Sequence, residues 1–521
     1  MDRLPQELIK HIASFIEREE DQSHIGILQR KKLRSKLPPY ATLSRAWQLA
    51  IETRTFGKLR IKSTELPYVT QVVTGHRRGF IANIQYQVIL PGYPDHYCAK
   101  FETEKDQERN NQAFTYAIHI LFQFLKGLED GDGVVTKSVA LDLYDIYSPM
   151  DKFHRGEEKL QEDERQVELG KRYDLWEHRY ERSILQLLDH SALPVLSRVS
   201  GFQLTSMAYR HVEPRSAILI AAKCPRLQSV DVSVNDNEKK DRDVRERARH
   251  NLATALPTLS TASLRDFTFS FYHEDPSNQY FSPPSALLPL AEVALPADHL
   301  SRALHTLSQS INLTSFTLNP IVISPALYWP SDTSGADPPH WPSLRHHHVE
   351  FNMTAPTGMW YFVRDTNRPI YEDEAANDSD DPEESASDTD SEPLSEDSLR
   401  PDSYAPRREA RATGDYPIRS FRTLPDDAPM DPLLLAMARA AKQMPRLQTM
   451  SLTSTMRDPD GAGFEVHFYG PGEHTHFDTE IGGVDATRLI WAVGKWRPSE
   501  EVLSKWRVGK EGVKVKFWEF E

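Results

Sequence analysis

The 521-residue sequence contains only two cysteines, Cys98 and Cys224, and neither has a second cysteine nearby. Two isolated cysteines exclude a disulfide framework and a zinc site built from thiolates alone. Each is therefore predicted to be a small buried apolar residue. Their scarcity also favours a reducing compartment, so we expect a cytoplasmic or nuclear protein that is not secreted.

Long hydrophobic runs are also lacking, because no stretch of about 18 apolar residues occurs. The sequence therefore predicts no transmembrane helix and no membrane partner. Near the N-terminus, Glu7, Lys10 and His11 interrupt the apolar core that a signal peptide would need. The length exceeds the size at which a single core usually stops growing, so we expect several domains.

Positive charge is missing from one tract, residues 372–398, which holds thirteen Asp or Glu and no Lys or Arg. Taking these thirteen charges from the net charge of −14 leaves about −1 for the rest of the chain. A nearly neutral remainder gives no general attraction to nucleic acid, so we expect no nucleic-acid partner. Since the tract has almost no large apolar residue, residues 371–415 are predicted to be a disordered acidic linker.

Three hydroxyl residues of the tract, Ser385, Ser387 and Thr389, each have an acidic residue three positions later. This spacing is typical of acid-directed kinase targets, and phosphates would add charge to an already expanded chain. We therefore consider these residues possible phosphorylation sites, with an inert solvated loop as the alternative.

Motifs for catalysis are absent: the sequence has no phosphate-binding loop, dinucleotide fingerprint, zinc-protease helix or nucleophile elbow. Histidines cluster at 346–348 and at His474 and His476. Two histidines two apart on a strand share a face and could bind a metal, but no third ligand is marked. We therefore predict no catalytic residues, no metal and no cofactor, so the protein is not expected to be an enzyme.

Hydrophobic patterns predict alternating helices and strands after about residue 58. Strands are predicted at 80–90, 137–146 and 464–470, and helices at 110–128, 156–189 and 431–443.

One motif, Leu-x-x-Φ-x-Φ with Φ apolar, recurs after helix-like stretches. Four copies begin at Leu227, Leu264, Leu313 and Leu447, and a fifth at Leu344 places His347 where an apolar residue is expected. Helix, turn and such a strand is the pattern of a leucine-rich repeat, although the steps of 37, 49, 31 and 103 residues are irregular.

The predicted fold class is accordingly α/β. It comprises a degenerate leucine-rich-repeat-like α/β solenoid, or an α/β domain that merely resembles one, interrupted by the disordered acidic insert. The repeat-like domain would span residues 59–370 and continue in a C-terminal part at 416–521.

The N-terminal residues 1–58 are predicted to form a separate helical module. Two apolar stripes have helical spacing: Leu4, Leu8, Ile12, Phe15 and Ile16 in the first, and Leu43, Trp47, Ala50 and Ile51 in the second. Pro5 suits the first helical turn. The charged stretch between the stripes has a short apolar centre that could be a middle helix.

The pattern Leu4-Pro5-x-Glu7-Leu8-x-x-x-Ile12, followed by Leu43-Ser44-Arg45-x-Trp47 and Ile51, resembles an F-box. In that family a three-helix module docks on the Skp-type adaptor of a cullin–RING ubiquitin ligase. The resemblance implies that the adaptor is bound by Leu4, Pro5 and Leu8. It implies that the module core is formed by Ile12, Phe15, Leu43, Trp47 and Ile51.

The resemblance implies a substrate-recognition subunit of an SCF-type ubiquitin ligase, with the Skp-type adaptor, a cullin scaffold and an unknown protein substrate as partners. The alternatives are an interaction scaffold whose module delivers no substrate, a helical hairpin that caps the repeats, and an enzyme that uses the histidine pairs. The sequence does not indicate which face would hold a substrate.

Overall fold

The structure is a computed structural model. It describes residues 4–21, 38–98, 100–130, 137–151, 154–156, 159, 161–162, 165, 179–180, 183–205, 210–236, 242–273, 275–276, 278–287, 298–330, 338–367, 370–372, 419–456, 463–475, 485–507 and 513–518.

The described helices are α1 (Gln6–Asp21), α2 (Arg45–Thr55), α3 (Leu66–Val72), α4 (Glu104–Glu129), α5 (Pro214–Ala222), α6 (Arg242–Ala255), α7 (His299–Ser308), α8 (Asp427–Lys442) and α9 (Glu500–Arg507). The strands are β1 (Lys58–Lys62), β2 (Asn83–Ile89), β3 (Val139–Tyr147), β4 (Ile184–Leu185), β5 (Val199–Thr205), β6 (His211–Val212), β7 (Ser229–Asn235), β8 (Asp266–Tyr272), β9 (Ser315–Ile321), β10 (His346–Phe351), β11 (Phe362–Arg364), β12 (Tyr371–Glu372), β13 (Arg419–Ser420), β14 (Arg422–Pro425), β15 (Thr449–Ser454), β16 (Glu465–Tyr469), β17 (Arg488–Ala492) and β18 (Lys514–Trp518).

A twelve-stranded sheet organises the molecule, in the order β1-β2-β3-β5-β7-β8-β9-β10-β15-β16-β17-β18. Every pairing from β1 to β15 is parallel, and each strand lies beside the preceding strand of the sheet in chain order. The pairings of β15 with β16 and of β16 with β17 are antiparallel, and β18 is parallel to β17. The fold is therefore mixed α/β with a large, mostly parallel central sheet.

From β2 to β10 the sheet buries one face and leaves most of the other half-buried or exposed, whereas β17 is buried on both faces, since Ile490 and Ala492 form a small second cluster with Tyr469. In β7, for example, Val230, Val232 and Val234 are buried while the residues between them are half-buried. The inward side chains share one apolar cluster with residues of α4 to α9. Helices α5, α6 and α7 contact each other in chain order, so strands and helices form two layers.

The leucine of each repeated motif lies in the turn before its strand. The five leucines, Leu227, Leu264, Leu313, Leu344 and Leu447, are all buried. They reach the apolar cluster between the helix layer and the sheet, and the two Φ positions of each following strand extend the same buried row. The motif therefore marks the inward face of β7, β8, β9, β10 and β15.

Most of the predicted elements are confirmed as β2, β3, β16, α4 and α8, with bounds that differ by a few residues. The predicted helix at 156–189 is wrong at its end, where Ile184 and Leu185 form β4. These residues pair in parallel with His211 and Val212 of β6. Pairing with a distant strand therefore overrides the local helical pattern there.

His347 occupies the apolar position of the fifth motif and is 1% exposed. Its ring lies between those of Phe316 and Tyr328, with both centroid separations at 5.3 Å. Burial lowers the pKa of His347 to about 3, so the ring is neutral and acts as part of the core.

We predict that His347→Leu changes the free energy of unfolding by less than about 1 kcal/mol at pH 7. The folded-state pKa lies below the ordinary value of 6.5, so stability is lost as pH falls from 6.5 toward 3. Without His347, the loss between pH 7 and pH 5 should shrink by up to about 2 kcal/mol.

Urea unfolding at both pH values measures this difference. Exposed His340→Gln is the control and should leave the pH dependence unchanged. Equal pH dependence of His347→Leu and the unmodified protein would show that His347 is not buried as a neutral ring.

Candidate functional site

Helices α1 and α2 pack as a small unit with an apolar core of its own. This core consists of Ile9, Ala13, Trp47, Ala50 and Ile51. The Ser44 hydroxyl caps α2 by accepting a hydrogen bond from the Trp47 backbone N–H at 3.4 Å. Tyr40 stacks on Trp47 with ring centroids 6.1 Å apart. The cap and the stacked rings fix the start of α2 against the turn that precedes it.

Two residues predicted to form the module core do not: Ile12 is 39% exposed and Leu43 is 48% exposed. The physical reason is the helical phase of α1, since Ile9 and Ala13 are the residues that face α2. Trp47 and Ile51 are buried at 4% and 2% exposure. The Phe15 side chain and the predicted middle helix lie outside the described part of the chain.

The outer face of α1 carries an exposed apolar strip, which we define as Leu4, Leu8 and Ile12. These residues recur every fourth position and are 38%, 49% and 39% exposed. Pro5 is exposed between them, and its carbonyl accepts the first hydrogen bonds of the helix from Leu8 and Ile9. The same two-helix unit also exposes Tyr40, Leu43 and Leu49. Contiguous exposed apolar residues of this kind mark an interaction surface.

Glu52 of α2 joins the two-helix unit to the sheet. Its carboxylate accepts hydrogen bonds from Arg77 Nη2 at 2.7 Å and Gln48 Nε2 at 3.1 Å, and lies 2.9 Å from His76 Nε2. Arg77 also bonds the Val72 carbonyl at 3.1 Å. The hydrogen bond from Arg77 holds the pKa of Glu52 at about 2, well below its usual range.

Gly57 forms the second part of this joint, directly between α2 and β1. Its carbonyl accepts hydrogen bonds from Ala82 and Asn83 at 3.0 Å. A Cβ at this position would lie 2.8 Å from the Thr53 carbonyl oxygen, so only glycine fits the close approach. The helical unit is therefore attached by side-chain contacts to the segment between α3 and β2, and by backbone contacts to the start of β2.

We predict that Glu52→Gln loosens this joint by about 1–3 kcal/mol, because a charge-assisted hydrogen bond is lost. Hydrogen exchange of residues 45–56 should become faster, while exchange in β7 and β8 stays the same. Since the folded-state pKa is depressed, the same loosening should appear in the unmodified protein as pH falls from 4.5 toward 2.

Glu501→Gln, at an exposed position on α9, is the matched control. Unchanged exchange of residues 45–56 in the Glu52 variant would show that this ion pair does not hold the joint.

The open face of the sheet is the second surface of interest, and it is lined by polar side chains. Neighbouring strands place Arg60, Gln85 and Asp142 side by side, joined by hydrogen bonds of 3.2 and 3.1 Å. Further along, Gln203 Nε2 donates to Asp231 Oδ2 at 3.2 Å. These bonds run across the strands, so the open face is an ordered polar surface.

The predicted histidine cluster is divided between the two faces of β10. His346 and His348 lie on the open face. The Nδ1 atom of His346 is 2.9 Å from Thr449 Oγ1, and that of His348 is 2.9 Å from Ser451 Oγ. Burial lowers the pKa of His348 to about 4. No group of three metal-ligating side chains occurs among the residues that the structure describes. The rings therefore act as hydrogen-bonding groups between β10 and β15, and His476 lies outside the described residues.

A buried charge network lies beyond the carboxyl ends of β2, β3 and β5, and no pattern in the sequence predicts it. Glu102 Oε1 accepts hydrogen bonds from Arg210 Nη1 and Asn110 Nδ2, both at 2.7 Å. Asp151 accepts one from Tyr93 at 2.9 Å and another from Tyr180. Both carboxylates and both arginines, Arg179 and Arg210, are almost fully buried.

Opposite charges lie within 3.9 Å of one another in this network, which supports a structural role. Glu102 and Arg210 are 108 positions apart, so no local motif could have revealed their contact.

The two cysteines are part of the protein interior. Cys98 and Cys224 are both buried, and burial raises the pKa of the Cys224 thiol to about 12, which makes it unreactive at neutral pH. Ser385, Ser387 and Thr389 lie outside the described residues, as does most of the predicted acidic linker.

No protein-family model, curated protein or solved structure matches the chain. Among the described helices, none is both long and apolar enough to cross a membrane.

Proposed function

We propose that the protein is a substrate-recognition subunit of an SCF-type ubiquitin ligase and that it acts as an adaptor without catalysing a reaction itself. The observation that carries the proposal is the exposed apolar strip of Leu4, Leu8 and Ile12. Other residues, among them Ile9 and Trp47, form the described core between α1 and α2, and the strip residues lie outside that core. An apolar helix face of this kind fits the groove of a partner protein, here the Skp-type adaptor.

The exposure of Ile12 extends this surface by one helical turn beyond the predicted contacts Leu4, Pro5 and Leu8. Leu8 is the most exposed of the three strip residues. In this proposal, α1 binds the adaptor through the outer face, while Ile9 and Ala13 on the inner face bind α2. The cullin scaffold would be reached through the adaptor.

The second part of the proposal concerns the sheet, which we interpret as a leucine-rich-repeat-like solenoid. Parallel strands in chain order support this interpretation. So do the buried leucines before β7, β8, β9, β10 and β15, and the helices α5, α6, α7 and α8 that precede four of these five strands. Such an architecture offers one extended face to a partner, and the open polar face is available for a protein substrate. The joint at Glu52 and Gly57 would hold this face at a fixed orientation relative to the ligase.

We predict that Leu8→Asp combined with Ile12→Asp abolishes binding of a purified Skp-type adaptor. Each change places a charge where an apolar contact would be desolvated, and the combined loss should exceed a hundredfold in Kd. Calorimetry on the full chain measures the affinity, and circular dichroism checks that the fold is retained.

Ile311→Asp is the matched control because Ile311 is 68% exposed in a turn far from α1. It should leave adaptor affinity unchanged. If the double variant binds as well as the unmodified chain, the strip is not the adaptor surface.

The same double variant separates a ligase subunit from a simple scaffold. In cells, a protein substrate should become more abundant when the double variant replaces the unmodified chain. Proximity labelling should still detect this substrate beside the double variant. If no labelled protein changes in abundance or ubiquitylation while the adaptor still binds the unmodified chain, the protein is a scaffold and delivers no substrate.

A further inference from the structure

The central part of the open sheet face has a charge of one sign. Strands β3, β5, β7, β8 and β9 contain no Lys or Arg, but they present four carboxylates on the open side: Asp142, Asp145, Asp231 and Asp266. Lysine and arginine return only in the strands at the two ends of the sheet, in β1 and in β17 and β18.

These carboxylates are held close to one another by the sheet. Asp142 and Asp231 are placed at the same level on β3 and β7, because each is paired with Gln203 of the intervening strand β5. Two strand spacings separate them, or roughly 10 Å. Asp266 lies on β8, the next strand after β7, where it is paired with Ser229, two residues before Asp231. The three carboxylates therefore form an oblique row across the strands, with Asp142 and Asp231 at one level and Asp266 displaced toward the amino-terminal side.

The partners of this row within the sheet are mostly neutral. Asp142 and Asp231 accept hydrogen bonds from the amides of Gln85 and Gln203. Burial raises the pKa of both carboxyl groups, and the charge of Asp142 adds to the effect on Asp231. Lys58 and Arg60 on β1 attract Asp142 and offset part of this effect. A cationic group that approached the row would relieve the repulsion that remains.

Small residues lie next to Asp142 and Asp231 on the open face. Ala140, Gly201 and Ser229 follow one another on β3, β5 and β7, two residues before the level of Asp142 and Asp231 and at the level of Asp266. A Cβ on Gly201 would lie 3.1 Å from the Ser229 hydroxyl, so this position is closely packed without a side chain. Small residues here let an extended backbone approach the sheet while its long side chains reach the carboxylates.

We infer that the open face from β3 to β8 binds an extended protein segment rich in lysine or arginine, which lies across the strands with its cationic groups on Asp142, Asp231 and Asp266. Charge complementarity selects this occupant, because the five consecutive strands β3, β5, β7, β8 and β9 together carry four carboxylates and no lysine or arginine. The inference rests on the proposed function for its biological meaning, since it names the class of substrate segment that the sheet would take.

The test uses the full-length chain and two short fluorescein-labelled peptides, one alternating Lys with Ser and one alternating Glu with Ser. Fluorescence anisotropy at low ionic strength should show saturable binding of the lysine peptide only, and added salt should weaken it. Asp231→Asn combined with Asp266→Asn should raise the Kd about tenfold, as expected for two partly exposed ion pairs.

The control combines Glu108→Gln with Glu501→Gln, which removes the same charge from exposed helical positions and should leave the Kd within twofold. Equal weakening in both double variants, equal binding of the glutamate peptide, or no binding of the lysine peptide would overturn the inference.

Adaptor affinity is measured on the same preparations. If the chain binds the adaptor but not the peptide, only this inference is contradicted. If it binds the peptide but not the adaptor, only the proposed ligase function is contradicted.

Discussion

A repeated backbone contact in the turns before the strands fixes the register of the sheet. Four turn carbonyls each accept two hydrogen bonds from the next turn: those of Gln228, Arg265, Thr314 and Arg345, with donors at 265–266, 314–315, 345–346 and 448–449. Each donor–acceptor distance is between 2.8 and 3.0 Å. Because a shift by one residue would turn every side chain to the other face, this register decides which residues are buried.

The separation of the two faces follows from that register. The inward positions of β7 to β10 are valines, phenylalanines and leucines, and even the one histidine among them is held neutral by burial. The outward positions do not have to be apolar or neutral, and they carry the polar and charged groups that can form a binding surface. The acidic insert does not disturb the arrangement, since Arg345 and Gln448 make the same contact across about a hundred residues.

The sequence was most informative where structure depends on local pattern. The Leu-x-x-Φ-x-Φ motif predicted β7, β8, β9 and β15, because strand alternation is a property of adjacent residues. It also predicted β10 despite His347. The apolar stripe of α1 did not show which side of the helix is buried, because Leu8, Ile9, Ile12 and Ala13 together cover a broad arc of its surface. Only the docking of α2 determines that Ile9 and Ala13 face inward while Ile12 faces solvent.

Features that depend on long-range contacts could not be predicted. Glu102 and Arg210 meet in a buried network although 108 positions separate them. Glu52 meets Arg77 across 25 positions that include β1 and α3, and no motif marks the pair. The carboxylate row was equally hidden, because its members are unremarkable aspartates in separate strands. The shared level of Asp142 and Asp231 became visible only when the pairing of β3, β5 and β7 was known.

The two outermost strands of the sheet both carry positive charges. Lys58, Arg60 and Lys62 lie on β1, and Lys514 and Lys516 lie on β18. Terminal strands expose backbone groups to which another chain could add, and lysines on such edges oppose self-association. Any two copies that met edge to edge would bring cationic strands together. The sheet can therefore remain long and open without polymerising, and its colloidal stability should fall as salt screens these edges.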